Sequence, residues 1–225
     1  MRTIAIVGAG PGLGLSLAKK FGENGFRVAV ISRNAEKLAL IVSGLEQLHI
    51  GAQAFAADVT DLSSLQRALR AAKETFGPID VLEFSPYAGW ATFTSVLETT
   101  PQSTLEQINS YLLPAILSVN EVLPDMMNSR SGAILFTTGI SAMYPLPFVG
   151  NGGIVMSGIR NYAANLHNEL KDKGIYVGHL SIGTAIEAGT AGDPDVIAET
   201  WYRQYESKEQ FEAVFPQGFD PAVMG

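Results

Sequence analysis

The stretch that decides the fold is TIAIVGAGPGLGLSLAKKF, residues 3–21. Its first five residues are apolar or β-branched, the pattern of a strand buried on both faces. GAGPGLG, residues 8–14, follows without a spacer and leads into an apolar-periodic segment over about 13–24. Strand, glycine turn and helix in this order form a phosphate cradle. Gly8 permits the tight turn, Gly12 lets a pyrophosphate approach the backbone, and Gly14 lets helix pack closely on strand. Gly8, Gly10, Pro11, Gly12, Leu13 and Gly14 together form the candidate diphosphate site, with free N–H groups and the helix dipole favouring an anion. The plain alternative is a chain reversal with no ligand, which seldom needs three glycines at this spacing.

The same alternation continues outward. Thr3–Val7, Arg27–Ser32, Ala52–Ala57, Ile79–Phe84, Ala133–Thr138 and Ile175–Leu180 read as buried strands, with Phe211–Phe215 as a further short one. Helices are expected at about 13–24, 34–48, 62–76, 102–128, 153–173 and 194–207. In the long one, Leu105, Ile108, Leu112, Ile116, Val119 and Leu123 step by three and four, and Pro114 is expected to kink it. The expectation is a single α/β domain over 1–225, a doubly wound parallel sheet of six or seven strands with helices on both faces.

Composition narrows the partners. The 225 residues include 15 basic and 22 acidic ones, a net charge of −7. That leaves little for a basic face, so nucleic acid and an anionic membrane surface are not expected. The absence of cysteine removes disulfides, thiolate metal sites and cysteine nucleophiles. No cluster of His and carboxylates has ligand spacing, so no metal site is expected. Residues 131–159 carry no charge, but six glycines, Pro145 and Pro147 make that stretch a poor membrane helix. The opening MRTIAIVGAG has too short an apolar run for a signal-peptide core, and a cytoplasmic protein is expected.

The end of the second strand bears on which dinucleotide binds. A site for NAD usually places an acid there, about 20 residues past the glycines, to hold the ribose hydroxyls. Here VAVISRNAEKL, residues 28–38, offers Ser32 and Arg33 instead. A guanidinium beside a hydroxyl suits a 2′-phosphate, so NADP is favoured over NAD. Arg33 as a solvated surface residue is the alternative.

The spacing Gly-x-x-x-Gly-x-Gly, Asp58-Val59 after the third strand and the order of elements resemble the short-chain dehydrogenases/reductases. The resemblance runs from Thr3 to about Leu180. It implies that Asp58 holds the adenine amino group and Val59 packs on the ring, although Asp58 would also serve as a helix cap. It implies that Ala88-Gly89, in PYAG at 86–89, and Gly183, in SIGTA at 181–185, lie close to the nicotinamide half. It further implies a carbonyl or alcohol substrate and a homodimer or homotetramer.

The family's chemistry rests on Asn, Ser, Tyr and Lys. The tyrosine is the general acid or base, and the lysine one helical turn later lowers its pKa from near 10. Asn109 matches the asparagine. Register from Gly132 puts the serine at Gly139, with Thr138 before it and Ser141 two residues beyond. Counting back from NELKDKGIYV, residues 168–177, puts the tyrosine at Gly152 and the lysine at Met156. No lysine lies between Lys73 and Lys171, so the lysine is absent in any register. Two readings follow. One is an NADP-binding protein without the family's redox chemistry, acting as a sensor, scaffold or partner subunit. The other is an NADP-dependent reductase with a relocated proton donor, Tyr144 first, then Ser141, Thr138, Tyr87 or Tyr111.

Overall fold

Residues 1–220 are described in a computed structural model of the chain. Seven strands form one sheet in the order β3-β2-β1-β4-β5-β6-β7, every neighbouring pair parallel. They are β1 (Arg2–Val7), β2 (Phe26–Ser32), β3 (Ala52–Ala56), β4 (Val81–Phe84), β5 (Gly132–Gly139), β6 (Ile175–Ile182) and β7 (Glu212–Phe215). The helices are α1 (Leu13–Glu23), α2 (Ala35–Gln47), α3 (Leu62–Phe76), α4 (Pro101–Gln107), α5 (Leu113–Ser129), α6 (Gly150–Leu170) and α7 (Pro194–Ser207).

Successive strand residues point to opposite faces, and each face has its own core. Ile4, Ile6, Val28 and Val30 meet Leu17 and Phe21 of α1, Leu38 and Leu45 of α2 and Trp201 of α7. Val7, Phe84 and Phe136 meet Leu65 and Leu69 of α3, Val119 and Val122 of α5 and Val155 and Ile159 of α6. Both faces of the central strands are buried, which is why those strands read as continuous apolar runs. No helix among the described residues is long and apolar enough to cross a membrane.

One expected element divides. The helix foreseen over 102–128 is α4 and α5 joined by a π-turn at Ile108–Leu112. Pro114 has no N–H to donate and its ring crowds the preceding turn, so the chain widens just ahead of it. Thr100 opens α4 with a capping box, its hydroxyl accepting from the Ser103 N–H at 3.1 Å. The helix expected from residue 153 begins earlier, at Gly150.

Candidate functional site

The order of the sheet reverses between β1 and β4, and their connections leave toward opposite faces. Ligand clefts of open α/β sheets form at such points, beyond the carboxyl ends of the strands. Ser85 N–H donates to the Val7 carbonyl at 2.9 Å and brings Pro86 over the glycine turn. Gly8 has φ 98°, and a Cβ there would stand 2.5 Å from Pro86 Cα. A Cβ on Gly14 would stand 2.7 Å from Ala9 Cα, so only glycine lets α1 come this close to the turn. Gly12 is different, with no atom within 4 Å of its Cβ position, and the same holds for Gly10. As the N-cap of α1, Gly12 has no side chain to cap the helix, and no acid lies in the first turn. N–H groups without a partner among the described residues therefore face a cradle that a side chain would fill, an arrangement that fits a diphosphate. Pro11 is exposed at its rim and Leu13 buried behind it.

Ser32 ends β2 half-buried, and Arg33 beyond it is exposed with no ion pair among the described residues. Asp58 uses Oδ1 to accept from the N–H and hydroxyl of Thr60, at 2.9 and 2.8 Å. Asp61, not Asp58, caps α3, accepting from the Ser63 and Ser64 N–H groups. Val59 packs on the α3 side of the core.

At the other end of the cleft the expected positions hold different groups. A Cβ on Gly152 would lie 2.6 Å from the Phe93 ring, so Phe93 fills the volume beside it. Asn151, fully buried, fixes this arrangement. Its Oδ1 accepts from Thr94 N–H at 2.9 Å and Gly152 N–H at 2.8 Å, while Nδ2 donates to the Thr92 carbonyl at 3.0 Å. Both neighbours of Phe93 are thus tied to the first turn of α6. Met156 is buried in the core.

The π-turn presents Asn109 to solvent and turns Tyr111 inward. Tyr111, a candidate proton donor by sequence, is 2% exposed and stacks on Phe93 at 6.4 Å. Its hydroxyl accepts from Ala88 N–H at 2.9 Å. Burial raises the Tyr111 pKa above the usual phenol value, with the Ala88 hydrogen bond acting the other way. Ser85 and Pro86 lie against the glycine turn. Ala88 is drawn to Tyr111, and nothing stands within 4 Å of a Cβ on Gly89, whose φ is 108°.

Two hydroxyls remain near the end of β5. Ser141 Oγ stands 3.8 Å from where a Cβ on Gly139 would be. Tyr144 turns its ring toward Phe219, with centroids 5.8 Å apart. Phe219 also covers Gly183, whose Cβ position is 2.5 Å from that ring, and Gly183 N–H donates to the Phe215 carbonyl at 2.7 Å. The segment after β7 therefore folds back over the end of β6.

Two buried polar arrangements remain, and Thr138, a candidate proton donor by sequence, belongs to the first. Thr138 Oγ1, His179 Nε2 and Nδ1, and Glu212 Oε1 form a row at 2.8 and 2.9 Å, closed by Arg160 on both Glu212 oxygens. Burial raises the Glu212 pKa, but hydrogen bonds from His179 and Arg160 outweigh it and hold the carboxyl at about 2. With His179 fully buried and Thr138 5% exposed, this row joins three strands and α6 instead of meeting a ligand. Glu83, on β4, accepts from the hydroxyls of Ser85 at 2.8 Å and Thr137 at 2.7 Å. Burial pushes its pKa up to about 7, the two hydrogen bonds opposing. A lone acid within the apolar run VLEF was the available signal for it. Among the described residues, no group of three or more His, Asp or Glu converges as a metal site would require.

The short chain dehydrogenase pattern matches residues 2–190. The chain belongs to that family. A serine 3-dehydrogenase of Agrobacterium fabrum is 28% identical over 221 residues, covering 95% of this chain and 82% of that protein. A solved short-chain dehydrogenase from Rhodopseudomonas palustris superposes with a TM-score of 0.83 at 27% identity, covering 95% of this chain and 97% of its own. An actinorhodin polyketide ketoreductase solved with NADPH gives 0.86 at 19% identity, covering 95% of each chain, a likeness of fold.

Proposed function

We propose that this short-chain dehydrogenase family member binds NADP(H) and has lost the family's proton-transfer machinery, serving as a cofactor-binding or regulatory protein. The observation that carries this reading is the pair Gly152 and Met156 at the tyrosine and lysine positions, with Phe93 in the space beside Gly152. Ser32 and the exposed Arg33, with no acid at the end of β2, support NADP over NAD. Asp58, with Oδ1 taken by Thr60, keeps its second oxygen for the adenine amino group.

A bound nicotinamide cofactor supplies a hydride to a carbonyl carbon; the chain must supply the proton to the oxygen. Gly152 and Met156 hold no transferable proton. Tyr111 does, but burial raises its pKa and its hydroxyl is engaged by Ala88. Positioned acid–base assistance is typically worth about 10²–10⁴-fold in rate, so its loss leaves little turnover. Assembly as a homodimer or homotetramer through α5 and α6, and a cytoplasmic location, belong to the same reading.

One observation favours a second reading, an NADP-dependent reductase of carbonyl compounds with a relocated donor. Ser141 stands next to the Gly139 position, and Tyr144 follows three residues later. Titration with NADPH, followed by single-turnover oxidation over a panel of aldehydes and ketones, separates the two. Saturable binding without oxidation is expected. Oxidation that disappears in Tyr144→Phe or Ser141→Ala would establish the second reading, and no NADPH binding would end both.

A further inference from the structure

A cavity of about 520 Å³ opens between the loop after β5 and the outer edge of α6. It is large enough for a drug-sized molecule. Its walls are mainly apolar, from Val96, Met143, Leu146, Val149 and Ile154. None of its 12 lining residues is charged. This follows from the sequence, because residues 131–159, which supply all of the lining except Val96, contain no Asp, Glu, Lys or Arg.

Polar side chains are few. Ser141 and Tyr144 line the cavity, and neither hydroxyl has a hydrogen-bond partner among the described residues. Ser157 also lines it, and its hydroxyl makes only a long 3.4 Å contact to the Ala142 carbonyl. Ser141 is the link to the cleft, through its position beside Gly139.

We infer that this cavity binds a neutral, largely apolar molecule carrying one carbonyl or hydroxyl oxygen, which meets the Ser141 hydroxyl. A charged group would find no opposite charge on these walls to offset the hydration it gives up. An apolar body gains by leaving water, and one oxygen satisfies a hydroxyl that otherwise has no partner. Carboxylates, phosphates and free amino acids are therefore excluded. Describing the occupant as the ligand of the dinucleotide-binding fold rests on the reading above. The selectivity of the cavity does not.

The test uses the full chain and two fluorescent probes with one ring system, N-phenyl-1-naphthylamine and its sulfonated relative 8-anilinonaphthalene-1-sulfonate. The neutral probe is expected to bind saturably and at least about tenfold more tightly than the anion. Ile154→Asp places a charge at the mouth from an exposed position and should weaken the neutral probe about tenfold, with an unchanged thermal midpoint as the fold control. 2-Acetylnaphthalene should displace the neutral probe, and its advantage over 2-ethylnaphthalene should vanish in Ser141→Ala. Equal binding of the two probes, or a neutral probe indifferent to Ile154→Asp, would overturn the inference. NADPH binding is measured on the same samples. Its failure with probe selectivity intact would count against the proposed function alone.

Discussion

The two halves of the cleft lie beyond the carboxyl ends of the strands, and their glycines have opposite surroundings. At the β1 end, three glycines keep distinct duties: Gly8 yields to Pro86, Gly14 to Ala9, and Gly12 leaves open space before an uncapped helix. At the α6 end, the glycine at 152 leaves no such space, because Phe93 occupies it under the hold of Asn151. Glycine therefore means opposite things at the two ends. Near β1 it keeps a cradle open, and at Gly152 it makes room for a neighbouring ring. On the proposed reading, the fold keeps the part of the site that binds and refills the part that reacts.

Rebuilding the refilled half should have the largest effect. Combining Phe93→Ala, Gly139→Ser, Gly152→Tyr and Met156→Lys is expected to raise NADPH-dependent carbonyl reduction by about 10²–10⁴-fold, measured as steady-state turnover. Gly152→Tyr alone, with Phe93 in place, should add no turnover and should lower stability by about 1–3 kcal/mol through overpacking.

The preserved half can be broken in turn. Gly12→Asp meets no protein atom, so the thermal midpoint should hold. A carboxylate in the cradle should weaken NADPH about 10³-fold, near 4 kcal/mol, by calorimetry.

Two carboxyls give the fold opposite responses to pH. Glu83 is raised from its ordinary 4.5 to about 7, so its contribution is full below 4.5 and is lost as pH rises through 7. The loss is on the order of 3 kcal/mol, seen in urea unfolding at pH 5 and pH 8, and Glu83→Gln should abolish it. Glu212 is lowered to about 2, so its contribution is present above its ordinary 4.5 and is lost as pH falls toward 2. An acid limb that survives in Glu212→Gln would contradict the second assignment.

The smallest expected effect concerns cofactor choice. Arg33→Ala should cost NADPH about tenfold or more, the range of one or two charge-assisted hydrogen bonds, and leave NADH unchanged. Equal losses for both cofactors would remove the 2′-phosphate role.

Much of this comparison was legible in the residues because it is local. A strand, three glycines and a helix within 19 residues fix the cradle, and the absence of lysine between Lys73 and Lys171 needs no coordinates. What the sequence hid depends on distant partners. Phe93 meets Gly152 only because Asn151 ties the loop after β4 to α6. Thr138, His179 and Glu212 lie 41 and 33 residues apart and become neighbours only through the order of β5, β6 and β7. Helical periodicity places Asn109 and Tyr111 on an ordinary helix, whereas the π-turn before Pro114 turns Asn109 outward and Tyr111 inward. Phe219 reaches Gly183 across a chain reversal that no spacing announces.

The most direct test of a cleft that binds through one half is to compare NADPH with 2′-phospho-ADP-ribose, the same molecule without its nicotinamide. Dissociation constants within about threefold of each other are expected, since the glycine turn, Arg33 and Asp58 would carry the binding. NADPH binding about 30-fold or more tightly than the fragment would show a working nicotinamide half and contradict the account.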